Sequence, residues 1–361
     1  MLPSSLLPVL FLALAVAGNP VVIRDSPITV PLARHLSSTG GARSLVRRDV
    51  DRARRLVAKR SNSDFAARGI INEPVFNTGT HYTVSIGIGS PPVTYDLLVE
   101  SASANTWVGA NQRYIRTSTS VQTSDSVSVS YGSGSFSGDE YTDTVTITPS
   151  LVIKGQSIGV ASQAKGFDGV DGVLGIGPAN LTQGGVDKSK YTGSINYTPL
   201  TTTAPASHFW GINQSIRYGP STNILSNTAG IVDTLTTLLL LATDAYDRYR
   251  AATGAVLDSA TGLLRITPAQ YKNLKSLFFT TNGVTYEFVP NAQLWPRSLN
   301  LDIGGKVGDI YLIVADFGTP SGEGLDFING YTFLERFYTV FDTGNQRVGF
   351  AKTRFTSVNS N

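Results

Sequence analysis

The chain of 361 residues has no cysteine, one methionine and only three histidines, His35, His81 and His208. Without thiols there are no disulfides and no cysteine nucleophile, so stability outside the cell rests on the core. The histidines show no His-Glu-x-x-His spacing, and two lie in or near the N-terminal leader, so neither a metal nor any other cofactor is expected. No Gly-x-Ser-x-Gly elbow precedes a helix, as a serine hydrolase of that type would need. Tyr131-Gly-Ser-Gly134 lacks the Gly-Lys-Ser/Thr ending of a phosphate loop and reads as a hairpin turn. Charged residues make up only 15% of the chain, and no apolar run is long enough to span a bilayer.

What is abundant is Ser, Thr and Gly, with many short Val/Ile/Thr/Tyr runs between Gly or Pro, the composition of an all-β protein large enough for two lobes. Two helices are predicted. One covers Asp244 to Thr253, ahead of Gly254, and the other runs from N-cap Thr267 and Pro268 to Leu277. Leu6 to Ala17 is a short apolar run ending in Ala15-Val16-Ala17, the pattern of a signal peptide cleaved on secretion. Sequons at Asn180, Asn196 and Asn213 fit the same compartment. The net charge of +3 is unevenly spread. Residues 19–68 hold 11 Lys/Arg against 4 Asp/Glu, and residues 69–361 hold 18 against 22. Ala42 to Arg60 is helix-compatible and basic, and it admits a membrane or nucleic-acid helix, a solvated face, or a propeptide whose cations cover an acidic cleft. The adjoining signal peptide and the dibasic Lys59-Arg60 favour the propeptide. The expected organisation is signal peptide 1–17, propeptide 18–69, N-terminal lobe 70–186 and C-terminal lobe 187–361, with no role for nucleic acid, nor for a membrane once the signal is removed.

Two stretches repeat one plan. Tyr95-Asp-Leu-Leu-Val-Glu100-Ser-Ala-Ser-Ala-Asn-Thr-Trp-Val-Gly109 is an apolar strand ending in an acid, then small residues and Trp107. Ala229-Gly-Ile-Val-Asp233-Thr-Leu-Thr-Thr-Leu-Leu-Leu-Leu241 is an apolar strand, an acid, hydroxyl residues and another apolar strand. Acids delivered at the ends of two buried strands suggest a paired-carboxylate site between related lobes. Such a pair shares one proton, so that one member acts as base on water and the other donates to a carbonyl oxygen.

On these motifs the chain resembles the pepsin-like aspartic proteases, and most closely the fungal polyporopepsin group, over nearly all of residues 70–361. Glu100-Ser-Ala-Ser-Ala-Asn-Thr-Trp stands where the family has Asp-Thr-Gly-Ser-x-Asn-Thr-Trp, and Asp233-Thr-Leu-Thr at the second Asp-Thr-Gly-Thr. The resemblance implies a bilobal fold and acid cleavage of an extended polypeptide by a monomer. It makes Asp233 and Glu100 the catalytic pair, and Ser101, Ser103, Thr234 and Thr236 the supporting hydroxyl residues. Tyr131, Gly132 and Trp107 become the substrate-binding flap and its neighbour. Asp171 to Gly177 and Phe327 to Gly330 match the elements that pack behind each catalytic loop. Phe341-Asp342-Thr343-Gly344 also spells the motif, but Asn-Gln-Arg-Val-Gly-Phe-Ala follows it and reads as a C-terminal hairpin.

The chain departs from the family at four residues of the two motifs. Glu100 adds a methylene to a catalytic acid, Ser101 keeps a hydroxyl, and Ala102 and Leu235 put side chains where the family has glycine. By resemblance about forty residues are missing between Gly177 and Tyr191, including interlobe strands. The thirteen that remain can reach roughly 40 Å when extended. An impaired endopeptidase is expected, with a non-catalytic peptide-binding relative as the alternative. An unrelated secreted β-sandwich would explain the composition but not the paired motifs.

Overall fold

The computed structural model describes residues 42–58, 76–77, 81–103, 105–131, 134–149, 151–177, 190–342 and 344–359. The signal peptide, Lys59-Arg60, Gly132, the Asn180 sequon and residues 178–189 between Gly177 and Tyr191 lie outside them.

Every strand from Phe76–Asn77 to Gly172–Gly175 joins one eight-stranded sheet. A seven-stranded sheet is built from strands between Gly211–Tyr218 and Phe327–Asn329. Two three-stranded sheets complete the body, one of which pairs Phe337–Asp342, Arg347–Lys352 and Thr192–Pro199.

The two large sheets repeat one arrangement around the acids. Val93–Glu100 runs parallel to Gly172–Gly175, which is antiparallel to Trp107–Val108. In the second sheet Thr222–Val232 runs parallel to Phe327–Asn329, which is antiparallel to Leu239–Leu241. Leu97 to Glu100 and Ala229 to Val232 are buried at every position, which is why their sequence shows apolar runs and not alternation. The glycines of the backing elements permit close approach. A Cβ on Gly172 would stand 2.0 Å from the Trp107 carbonyl oxygen, and one on Gly330 2.3 Å from that of Leu238.

Four helices occur among the described residues: α1 (Ala42–Ala58), α2 (Thr243–Thr253), α3 (Pro268–Lys272) and α4 (Tyr331–Leu334). In α2 the chain turns out at Gly254, which takes the left-handed conformation at φ 67°. Helix α3 opens as predicted on a capping box of Thr267 and Gln270, but it ends at Lys272 and does not reach Leu277. Leu277 instead starts a strand paired with Tyr218 and Phe288, and its burial there overrides helical propensity. Asp342 pairs with Arg347 across a hairpin and accepts hydrogen bonds from Asn345 and Arg347, so this third acid motif is structural.

Candidate active site

Glu100 ends the strand Val93–Glu100, and Asp233 directly follows Thr222–Val232. Both are fully buried. The loops after them interlock. The Ser101 N–H donates to Thr234 Oγ1 at 3.1 Å, the Thr234 N–H donates to Ser101 Oγ at 2.9 Å, and Thr234 Oγ1 donates to the Val99 carbonyl at 2.9 Å. This reciprocal pair fixes one acid against the other, since neither loop can shift without breaking a buried hydrogen bond.

Four side chains of α1 reach this junction. Arg52 Nη2 donates to Glu100 Oε1 at 2.7 Å and to Asp233 Oδ1 at 3.0 Å, and Arg52 Nε donates to Asp233 Oδ2 at 2.7 Å. Arg55 Nη1 donates to the Tyr131 carbonyl at 3.0 Å, and Arg48 Nη2 to Thr237 Oγ1 at 2.6 Å. Asp49 Oδ2 accepts the N–H groups of Thr237 and Leu238 at 2.9 and 2.8 Å. The buried positions Leu45, Asp49, Arg52, Ala53 and Leu56 form one helical stripe, while Arg47 and Arg54 face outward. Sequence reasoning found a basic leader over an acidic cleft but missed Asp49 and Arg52 as its contact residues. Their signal was an acid and an arginine lying on the apolar stripe, positions that require a partner.

The electrostatics divide the two acids. Burial raises the Glu100 carboxyl, and the nearby Asp233 charge adds to this, while Arg52 and the Ala102 N–H only partly offset it. Burial also pushes Asp233 up, but the Arg52 charge and hydrogen bonds from Arg52, Thr236 and the Leu235 N–H outweigh it and hold Asp233 low. A proton on Glu100 with Asp233 ionised leaves Arg52 and the two acids neutral in sum, the cheapest state for a buried cluster. Burial pulls the Arg52 guanidinium down, yet Asp233 and Glu100 together hold it charged.

The supporting residues are not equivalent. Thr236 donates its hydroxyl to Asp233 Oδ2 at 2.5 Å and its N–H to the same atom at 3.1 Å. Ser101 Oγ lies 3.5 Å from Asp233 Oδ1. Ser103, the expected counterpart of Thr236, accepts from the Asn105 N–H instead, and Glu100 Oε1 takes the Ala102 N–H at 2.7 Å. Glu100 Oε2 is buried with no hydrogen-bond partner among the described residues.

Tyr131 follows the strand Val121–Ser130, and its hairpin partner is Ser135–Thr148. It is buried, and its hydroxyl accepts from Trp107 Nε1 at 2.9 Å. Trp107 in turn stacks on Phe136, with centroids 4.1 Å apart.

Two buried carboxylates from repeated loops, held together by Arg52 and by the interlocked loops, with a tyrosine hairpin beside them, are the arrangement expected of a paired-acid site. Residues 81–183 and 177–353 match the family model for eukaryotic aspartyl proteases. Polyporopepsin of Irpex lacteus is 55% identical over 336 residues, which covers 80% of this chain and 98% of that protein. Pepsin A of Sus scrofa is 27% identical over 342 residues, covering 79% and 85%. The crystal structure of the aspartic proteinase from Irpex lacteus matches with a TM-score of 0.77 at 55% identity, over 80% of this chain and 99% of that one. The chain therefore belongs to the pepsin-like aspartic protease family and has its bilobal all-β fold.

Proposed function

We propose that this chain is a secreted acid endopeptidase made as a zymogen, in which Glu100 and Asp233 cleave an extended polypeptide slowly beneath Tyr131. The observation that carries this reading is the convergence of both acids on the single atom Arg52 Nη2. Two carboxylates held on one guanidinium nitrogen occupy a single site, the arrangement in which one is kept protonated and the other ionised.

Once α1 leaves, Asp233 keeps its donors from Thr236 and the Leu235 N–H, so it remains the ionised partner and takes the proton from the attacking water. Glu100, raised by burial, carries the proton and donates it to the carbonyl oxygen of the scissile bond. Glutamate does this from a displaced position, and a misplacement of about 1 Å costs on the order of a hundredfold in rate. The same helix that fills the cleft prevents substrate from entering, which is the sense in which residues 18–69 serve as a propeptide. The apolar run Leu6 to Ala17 and the exposed Asn213 sequon support secretion. No described helix is long and apolar enough to cross a membrane. The substrate is a polypeptide, the working form a monomer, and no nucleic acid takes part.

Incubating the protein recovered from the culture medium with a denatured protein at about pH 3–5, with and without pepstatin, tests the reading. Pepstatin-sensitive fragments are expected. A folded protein that yields none at any pH in this range overturns it.

A further inference from the structure

Ala102 and Leu235, each two residues after a catalytic acid, pack into the lobe opposite their own. Ala102 belongs to the apolar cluster of the C-terminal sheets, together with Leu45, Ala53 and Leu56 of α1. Leu235 is 8% exposed and belongs to the N-terminal cluster under the hairpin, with Leu98, Trp107, Tyr131, Phe136 and Phe167. Its backbone N–H points to Asp233 Oδ1 at 3.4 Å, which anchors the residue next to the reacting group.

We propose that Leu235 determines specificity by filling the apolar space beneath Tyr131, so that the substrate residue facing this space must be small: glycine, alanine or serine. The inference rests on the peptidase reading above. The walls cannot retreat to make room for a second large side chain. Phe167 stands edge-on to Trp107 at 4.8 Å and to Tyr131 at 5.3 Å, and Trp107 is stacked on Phe136. Rings locked in this way resist overpacking, because extra methylenes in a filled core force side chains off their rotamers. The restriction is local. A cavity of about 610 Å³ lined by Asn111, Ser135, Lys165, Phe167 and Asp168 remains open beside it, where Arg55 of α1 forms part of the wall. A neighbouring substrate residue can therefore be long and polar while the one facing Leu235 cannot be bulky.

The test uses two statine-type peptide probes that differ only in the side chain beside the hydroxyl, isobutyl in one and methyl in the other. Their affinities are measured by calorimetry in acid on the secreted protein after loss of its leader has been confirmed by mass, and on its Leu235→Gly and Leu235→Ala variants treated in the same way. The unaltered protein is expected to bind the methyl probe at least tenfold more tightly than the isobutyl probe. Leu235→Gly reverses that order and Leu235→Ala narrows it, so a poorly folding glycine variant does not remove the test. An unaltered protein that prefers the isobutyl probe, or variants that leave the ratio unchanged, overturn the assignment while the peptide-binding cleft stands. Binding of neither probe by any folded variant overturns the cleft reading and this inference with it.

Discussion

Glu100 presents its carboxylate one methylene further into the site than aspartate would, and the hydrogen bonds record the displacement. Oε1 is held by Arg52 and the Ala102 N–H, Oε2 has no partner, and Ser103 is bonded elsewhere. Glu100→Asp is expected to bring the acid back within reach of Ser103 and to raise kcat/KM by about a hundredfold, as read from initial rates on a peptide substrate. An unchanged rate would show that the geometry at this acid does not limit turnover. His81 offers a second test at the same scale. Burial and then the Arg48 charge lower it from 6.5 to about 4. Its folded pKa lies below its unfolded one, so the unfolded state binds more protons in that window, and stability is lost as pH falls from 6.5 to about 4. With three histidines in the chain its NMR titration is assignable, and in Arg48→Ala the midpoint should move upward without reaching 6.5, since burial is the larger cause. That Glu100 and Asp233 would come together was legible in the sequence, because the strand-and-acid plan was written twice. The reassignment of Ser103 was not, since a bond length added inside one side chain shows only in three dimensions.

Helix α1 is the element through which the proposed closure would act. It docks through Arg52 on the acids, through Asp49 on two backbone N–H groups, and through Leu45, Ala53 and Leu56 on the C-terminal core. Removing one partner of a buried ion pair costs about 3–5 kcal/mol. Arg52→Ala should therefore free the helix, seen as faster removal of residues 42–58 in limited proteolysis at neutral pH while the body resists digestion. Unchanged protection would place the holding energy in the apolar contacts. The linkage has a direction. Asp233 is held low, so its share of the docking is present above the ordinary aspartate pKa and is lost as pH falls through the depressed value. Among the backing elements, Gly330→Ala would set a methyl against the Leu238 and Thr236 carbonyls at 2.3 and 2.5 Å. A loss of about 1–3 kcal/mol in chemical denaturation is expected. The helical leader and α2 were readable from periodicity and caps. The early end of α3 was not, because what stops it is the pairing of Leu277 with Tyr218 and Phe288, far away in sequence.

At the scale of the whole molecule, α1, with six arginines against two aspartates, lies against the two buried acids of a body with an excess of anions. The duplicated sheet plan was visible as two apolar strands each ending in an acid. The order of the strands between them was not, since Gly172–Gly175 and Phe327–Asn329 return from far downstream to lie beside their partners. The proposal with the widest consequence is that α1 keeps a paired-acid endopeptidase closed. Its most direct test follows a single sample of the full chain after a shift from neutral to about pH 3, below the ordinary aspartate pKa, reading loss of the leader by mass and cleavage of a reporter peptide together. The account predicts no cleavage at neutral pH while α1 is attached, and slow cleavage in acid whose onset coincides with loss of the leader. Equal cleavage with the leader still in place, or complete loss of the leader with no cleavage from a folded body, would contradict it.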